Sequence, residues 1–154
     1  MMPLPDGYQQ RGATIRDTRR IRRLEKRIFP KDAYPLIEIF LLLISPVTHN
    51  TVILSYGEEE LAGFLSVSKP LLDRPVWIVT IGVAPEHQHR GLGTFLMQYA
   101  EHQFSPGRIR LTVRAGNHPA ISLYEKLGYH LLRRQRGYYF DGEDGLIMEK
   151  DLSR

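Results

Sequence analysis

The 154-residue chain contains no cysteine, which excludes disulfides, thiolate metal sites and a cysteine nucleophile. Long apolar runs are also missing: the longest, residues 39–44 (IFLLLI), falls far short of the ~20 residues that cross a bilayer as a helix. The opening MMPLPDGYQQ has neither the basic nor the apolar region of a secretory signal, so a cytoplasmic location with no membrane partner is expected. No repeat, low-complexity tract or linker divides the chain. A single domain over 1–154 is therefore expected, with residues 1–11 as a loose extension. What is present is ordinary for a soluble globular domain, with 42% hydrophobic and 25% charged residues. A chain of this length buries roughly two-thirds of its unfolded surface, enough for a core without staples.

The formal net charge of +4 is uneven. Residues 1–31 carry nine Lys/Arg against three Asp/Glu, and the remainder carries twelve against fourteen. The run Arg19-Arg20-Ile21-Arg22-Arg23 invites a nucleic-acid reading. Against it, Ile21, Leu24 and Ile28 recur at helical spacing, so they face a core and the arginines form a solvated face. No nucleic-acid partner is expected.

Residues 12–16 read as a first strand, followed by the arginine-rich helix, which stops near Phe29-Pro30. A second helix is expected over 32–44. The apolar period then changes to two: residues 51–56 and 61–68 flank a short turn as a hairpin, and residues 76–83 (VWIVTIGV) form a strand central to a sheet. A helix to about Phe104, a strand over 108–113, a helix over 117–127 stopped by Gly128, and strands over 129–136 and 145–150 complete the chain. Helices interleaved with strands, some of them in a hairpin, imply a mixed sheet covered by helices, an α/β or α+β layout.

Two segments carry chemistry. Gln88-His89-Arg90-Gly91-Leu92-Gly93-Thr94 lies between a strand and a helix, where free amides and the helix dipole make an anion site. Leu96 stands where a dinucleotide-binding loop needs a third glycine, and the Gly-Lys-Ser/Thr of a Walker loop is absent. What remains is Gln-x-x-Gly-x-Gly. Downstream, Asn117 is a good N-cap and Pro119 is tolerated in the first turn. Ala120, Leu123, Tyr124 and Leu127 recur at i, i+3, i+4 and i+7, which puts Tyr124 on the sheet-facing side.

Together, Gln-x-x-Gly-x-Gly and Asn-x-x-Ala-Ile-x-Leu-Tyr-x-x-x-Gly-Tyr resemble the GNAT superfamily of acetyl-CoA-dependent N-acetyltransferases. The element order β-α-α-β-β-β-α-β-α-β-β also resembles that family's, implying a mixed, mostly antiparallel sheet of seven strands flanked by four helices. Glu25 to Pro30 (EKRIFP), Val113-Arg114 and Tyr138-Tyr139 ahead of Asp144 are similar to features of the RimI/Ard1-type protein N-terminal acetyltransferases.

The resemblance implies acetyl-CoA as co-substrate, no metal, and direct transfer to a primary amine, foremost a protein or peptide N-terminal α-amine. A small-molecule amine (a polyamine, aminoglycoside or amino acid) and a non-catalytic acyl-CoA-binding module are the alternative readings. In the implied site, amides of Gln88, His89, Arg90, Gly91, Leu92, Gly93 and Thr94 hold the pyrophosphate. Ile81, Gly82 and Val83 pair with the pantetheine arm, and Asn117, Ala120, Tyr124 and Lys126 complete the cofactor side. Tyr124 serves as general acid, and Phe29, Pro30, Tyr138 and Tyr139 grip the acceptor. At the two places where such enzymes carry a base, this sequence has Thr112 and Trp77. Glu86, His87, His49 and the Glu58–Glu60 turn are the substitutes to weigh, and each reads as solvated surface. An α-amine suits a site without a strong base, since at pKa ≈ 7.8 it is roughly 30% neutral near pH 7.4, against about 0.1% for a lysine amine.

Overall fold

The computed structural model describes residues 1–153. Seven strands, β1 (Tyr8–Gly12), β2 (Thr48–Ser55), β3 (Leu61–Ser68), β4 (Val76–Val83), β5 (Arg108–Arg114), β6 (His130–Gln135) and β7 (Gly145–Asp151), form one sheet in the order β1-β2-β3-β4-β5-β7-β6. All neighbours are antiparallel except β4 and β5. Four helices cover it: α1 (Thr18–Ile28), α2 (Leu36–Ile44), α3 (Leu92–Phe104) and α4 (His118–Lys126).

Alternation along β2 and β3 divides the core. Val52 and Phe64 pack on one face with Ile21 and Leu24 of α1 and Ile39 of α2. Ile53 and Leu65 pack on the other with Leu92, Phe95 and Leu96 of α3 and Tyr124 of α4. Because β3 is covered on both faces, it reads as a near-continuous apolar run. On α2, Ile39 points inward while Ile37, Leu41 and Ile44 are exposed.

Two boundaries differ from expectation. The first strand is Tyr8–Gly12 rather than 12–16, and residues 8–11, expected in a loose extension, pair with Val52 to Ser55 of β2. Residues 15–17 instead form a 3₁₀ turn anchored by Asp17, whose carboxylate takes two bonds from Arg11 at 2.7 and 2.8 Å. The second helix starts at Leu36, not Asp32. Tyr34 precedes Pro35, and proline forces the residue before it out of the helical region.

The feature that creates the site lies between β4 and β5. Their pairing covers only Val76 with Ile109 and Trp77 with Arg110, and no pairing continues through the remainder of either strand. The strands splay, so one edge of β4 beyond Trp77 keeps main-chain donors and acceptors without a strand partner.

Candidate active site

Two cavities open at this splay. The larger, about 750 Å³, is walled by Ile81, Gly82 and Val83 of β4, the loop residues His87, Gln88, His89 and Gly91, the first turn of α3 (Leu92, Gly93, Thr94), and Asn117, Pro119, Ala120, Leu123 and Tyr124. The smaller, about 370 Å³, lies between Glu25, Phe29, Tyr34, Trp77, Thr80, Thr112, Arg114, Tyr138 and Tyr139. Phe29, Asp32, Ile81, Arg114, Asn117 and Tyr124 belong to both walls, so the cavities adjoin along a shared wall that includes Tyr124.

One side of the larger cavity is shaped by main chain. Gly91 has φ +86° and caps α3 in the left-handed region, where side chains are strained. The first helical bond of α3 runs from Phe95 N–H to Gly91 C=O at 2.9 Å, so the amides of Leu92, Gly93 and Thr94 face the helix end. At Gly82, a Cβ would stand 2.6 Å from Ile28 Cδ1, so any side chain there would push the end of Ile28 aside. The Gln88 side-chain amide donates to Val83 C=O at 3.2 Å and ties the loop to β4. A splayed strand edge leading to a helix N-terminus can take an elongated ligand whose anionic group meets the helix end.

A chain of hydrogen bonds running through buried Tyr8 and His87 braces the loop. Arg90 Nη1 donates to the Tyr8 hydroxyl at 3.1 Å, Tyr8 donates to His87 Nδ1 at 2.8 Å, and His87 Nε2–H donates to Glu58 Oε2 at 2.9 Å. His87, expected at the surface, is 3% exposed because β1 packs over it through Tyr8.

The smaller cavity is shaped by side chains. Arg114 is its hub, giving two bonds to Asp32 at 2.6 and 2.7 Å and further bonds to Asp141 and Glu143, with its guanidinium 4.2 Å above the Tyr139 ring. It joins the loop after α1 to the loop before β7. The bond to Asp32, first of all, raises the Arg114 pKa. Asp141 is pulled down to about 2 by the Glu143 amide and by Arg114. Burial alone pushes the Tyr124 phenol up to about 12, and burial foremost pushes Tyr139 to about 12.

Of the residues anticipated for the cofactor side, only Arg90 and Lys126 stand outside the larger wall; Lys126 is exposed. Phe29 lines both cavities, Pro30 the larger, and Tyr138 and Tyr139 the smaller. Among the substitute bases, only His87 lines a cavity, and that is the larger one. Glu86 pairs with Arg27, and His49 bonds to the Tyr99 hydroxyl at 2.9 Å. The arginine run is partly paired as well, Arg23 with Glu60 and Arg20 with Asp17. Glu25, Asp32 and Tyr34 went unrecognised as wall residues. Glu25 had a signal, for it occupies the i+4 place of the apolar stripe formed by Ile21, Leu24 and Ile28.

Residues 17–129 match the model of the acetyltransferase (GNAT) family. An N-alpha-acetyltransferase of Saccharolobus solfataricus is 30% identical, over 94% of this chain and 93% of that protein. The N-alpha-acetyltransferase RimI of Mycobacterium tuberculosis is 31% identical, over 91% and 90%. Among solved structures, the ribosomal-protein-S18-alanine N-acetyltransferase of Escherichia coli superposes with a TM-score of 0.82 at 26% identity, covering 96% of this chain and 95% of that one. In sequence and in fold the chain is thus similar, over nearly its whole length, to enzymes that move acetyl groups: the chain belongs to the GNAT acetyltransferase family and is an N-acetyltransferase.

Proposed function

We propose that the protein moves an acetyl group from acetyl-CoA directly to the α-amine of a protein or peptide N-terminus. The observation that carries this reading is the wall that the two cavities share, which includes Tyr124. In the larger, amides of residues 88–94 would receive the pyrophosphate, and the free edge at Ile81, Gly82 and Val83 would take the pantetheine arm as an added strand. Asn117 and Ala120 flank the thioester end. In the smaller, Phe29, Tyr138 and Tyr139 wall the first residues of a peptide, and Pro30 stands beside Phe29 on the larger.

Transfer forms the C–N bond and breaks the C–S bond. A phenol raised to about 12 stays protonated at all working pH values. Tyr124 donates its hydrogen bond to the departing sulfur, and its proton passes there as it takes up the proton shed by the new amide nitrogen. The α-amine assignment also fits the kinship to N-alpha-acetyltransferases. Incubating the protein with acetyl-CoA and a panel of unblocked peptides should release coenzyme A, read by thiol detection. No release over the panel, with release for a polyamine or amino acid instead, would overturn the peptide assignment.

A further inference from the structure

We propose that Glu25 is the catalytic base that takes the proton from the acceptor ammonium, a role that rests on the acetyl-transfer reading above. Glu25 lies on the apolar stripe of α1, facing the sheet, and is 3% exposed. Thr80 Oγ1 of β4 donates to its Oε1 at 2.5 Å, and both residues belong to the wall of the smaller cavity that also holds Tyr124.

The other acidic and basic groups are occupied or elsewhere. Asp32 gives both carboxylate oxygens to Arg114. Glu86 lies at the surface, where the Arg27 bond foremost pulls its carboxyl down to about 2. Glu58 and His87 bind each other. Glu25, by contrast, has no Lys, Arg or His at ion-pair distance among the described residues. A buried carboxylate costs stability unless a cation or hydrogen-bond donors meet it, and the smaller cavity is where an ammonium would arrive.

Burial raises the Glu25 carboxyl pKa, and the Thr80 hydroxyl, the Tyr34 amide and the charge of Arg22 only partly oppose that. Around it in the cavity stand the Tyr34, Tyr138 and Tyr139 phenols and the Asp32–Arg114 pair. A raised carboxyl is a stronger base than a surface one, which suits proton transfer from an α-ammonium of pKa ≈ 7.8. Glu25 takes the first of the two protons that the ammonium loses, directly or through one water, and later releases it to solvent. The second leaves the nitrogen after C–N bond formation and reaches the sulfur by way of Tyr124.

The test is Glu25→Gln, assayed with one N-terminal peptide from pH 6.5 to 9.5. Without a base only the neutral amine reacts, about 5% of it at pH 6.5 and nearly all at pH 9.5. The variant should therefore run about 20-fold below wild type at pH 6.5 and within about twofold at pH 9.5. A wild-type to variant ratio that stays constant across this range overturns the assignment to Glu25 while leaving acetyl transfer intact. No turnover by wild type on any peptide overturns both. Should Glu25→Gln fail to fold, Thr80→Val takes its place. Losing that donor raises the Glu25 carboxyl further, so the acid limb of the wild-type rate profile should move to higher pH. An unmoved limb overturns the role.

Discussion

One side of the larger cavity is main chain and small residues: the β4 edge, Gly91 in the left-handed region, and the first turn of α3. The smaller is walled by side chains from α1, the loop after it, β4, β5 and the loop before β7, bound together through Arg114. The first needs one local segment to be right. The second needs residues as distant as Asp32 and Asp141 to arrive together. A cofactor common to many enzymes can be held by amides that any sequence supplies, whereas the choice of acceptor is left to side chains that can change.

Substitutions at the junction and on each side can break or sharpen this contrast. The largest effect is expected at the junction: Tyr124→Phe should lower kcat about 10²–10⁴-fold, the range of lost acid–base catalysis. Acetyl-CoA affinity, followed by calorimetry, should change less than twofold. Lost affinity with preserved kcat would move Tyr124 out of the chemistry and into the cofactor side.

Next, on the acceptor side, Arg114→Met releases Asp32, Asp141 and Glu143 together, and with them the two loops that hold Phe29 and Tyr139. Steady-state kinetics should show the peptide KM rising at least about tenfold, a loss of about 1.4 kcal/mol, and the acetyl-CoA KM rising much less, because Arg114 also borders the larger cavity. Equal rises in both would mean that the sides are not separately built.

The smallest effects belong to the cofactor loop. Thr94→Ala keeps its amide and should leave the acetyl-CoA KM within twofold. Gly91→Ala must hold φ +86°, a cost of about 1–2 kcal/mol in the left-handed region, and should raise that KM several-fold. Were Thr94→Ala the more damaging of the two, side chains and not amides would hold the cofactor.

The same contrast governs what could be read in the sequence. Every helix and strand from residue 48 onward lies within a few residues of its expected place, because period-two runs, Pro106 and Gly128 mark the boundaries locally. Much of the larger cavity's wall was legible for the same reason: the stretch 88–94, apart from Arg90, and one N-cap, Asn117, supply it. β1 was misplaced because YQQRG is polar and becomes a strand only by pairing with β2. The acceptor side could be read only in fragments. Phe29 and Tyr139 announce aromatic walls, but nothing near Arg114 in sequence tells that Asp32 and Asp141 meet it. Glu25 was hidden by a similar distance, since its meaning depends on Thr80, which lies 55 residues away and bonds to it. The rule that carboxylates point to water conceals a buried one unless its place in the helical stripe is noticed.

The most direct test of the account is where the acetyl group goes. The protein should be incubated with acetyl-CoA and one peptide that carries both a free N-terminal α-amine and an internal lysine, and the product mapped by fragmentation mass spectrometry. The account predicts a single acetyl group on the α-amine, and none on the same peptide once its N-terminus is blocked. Acetyl on the lysine, undiminished by blocking the N-terminus, would contradict it.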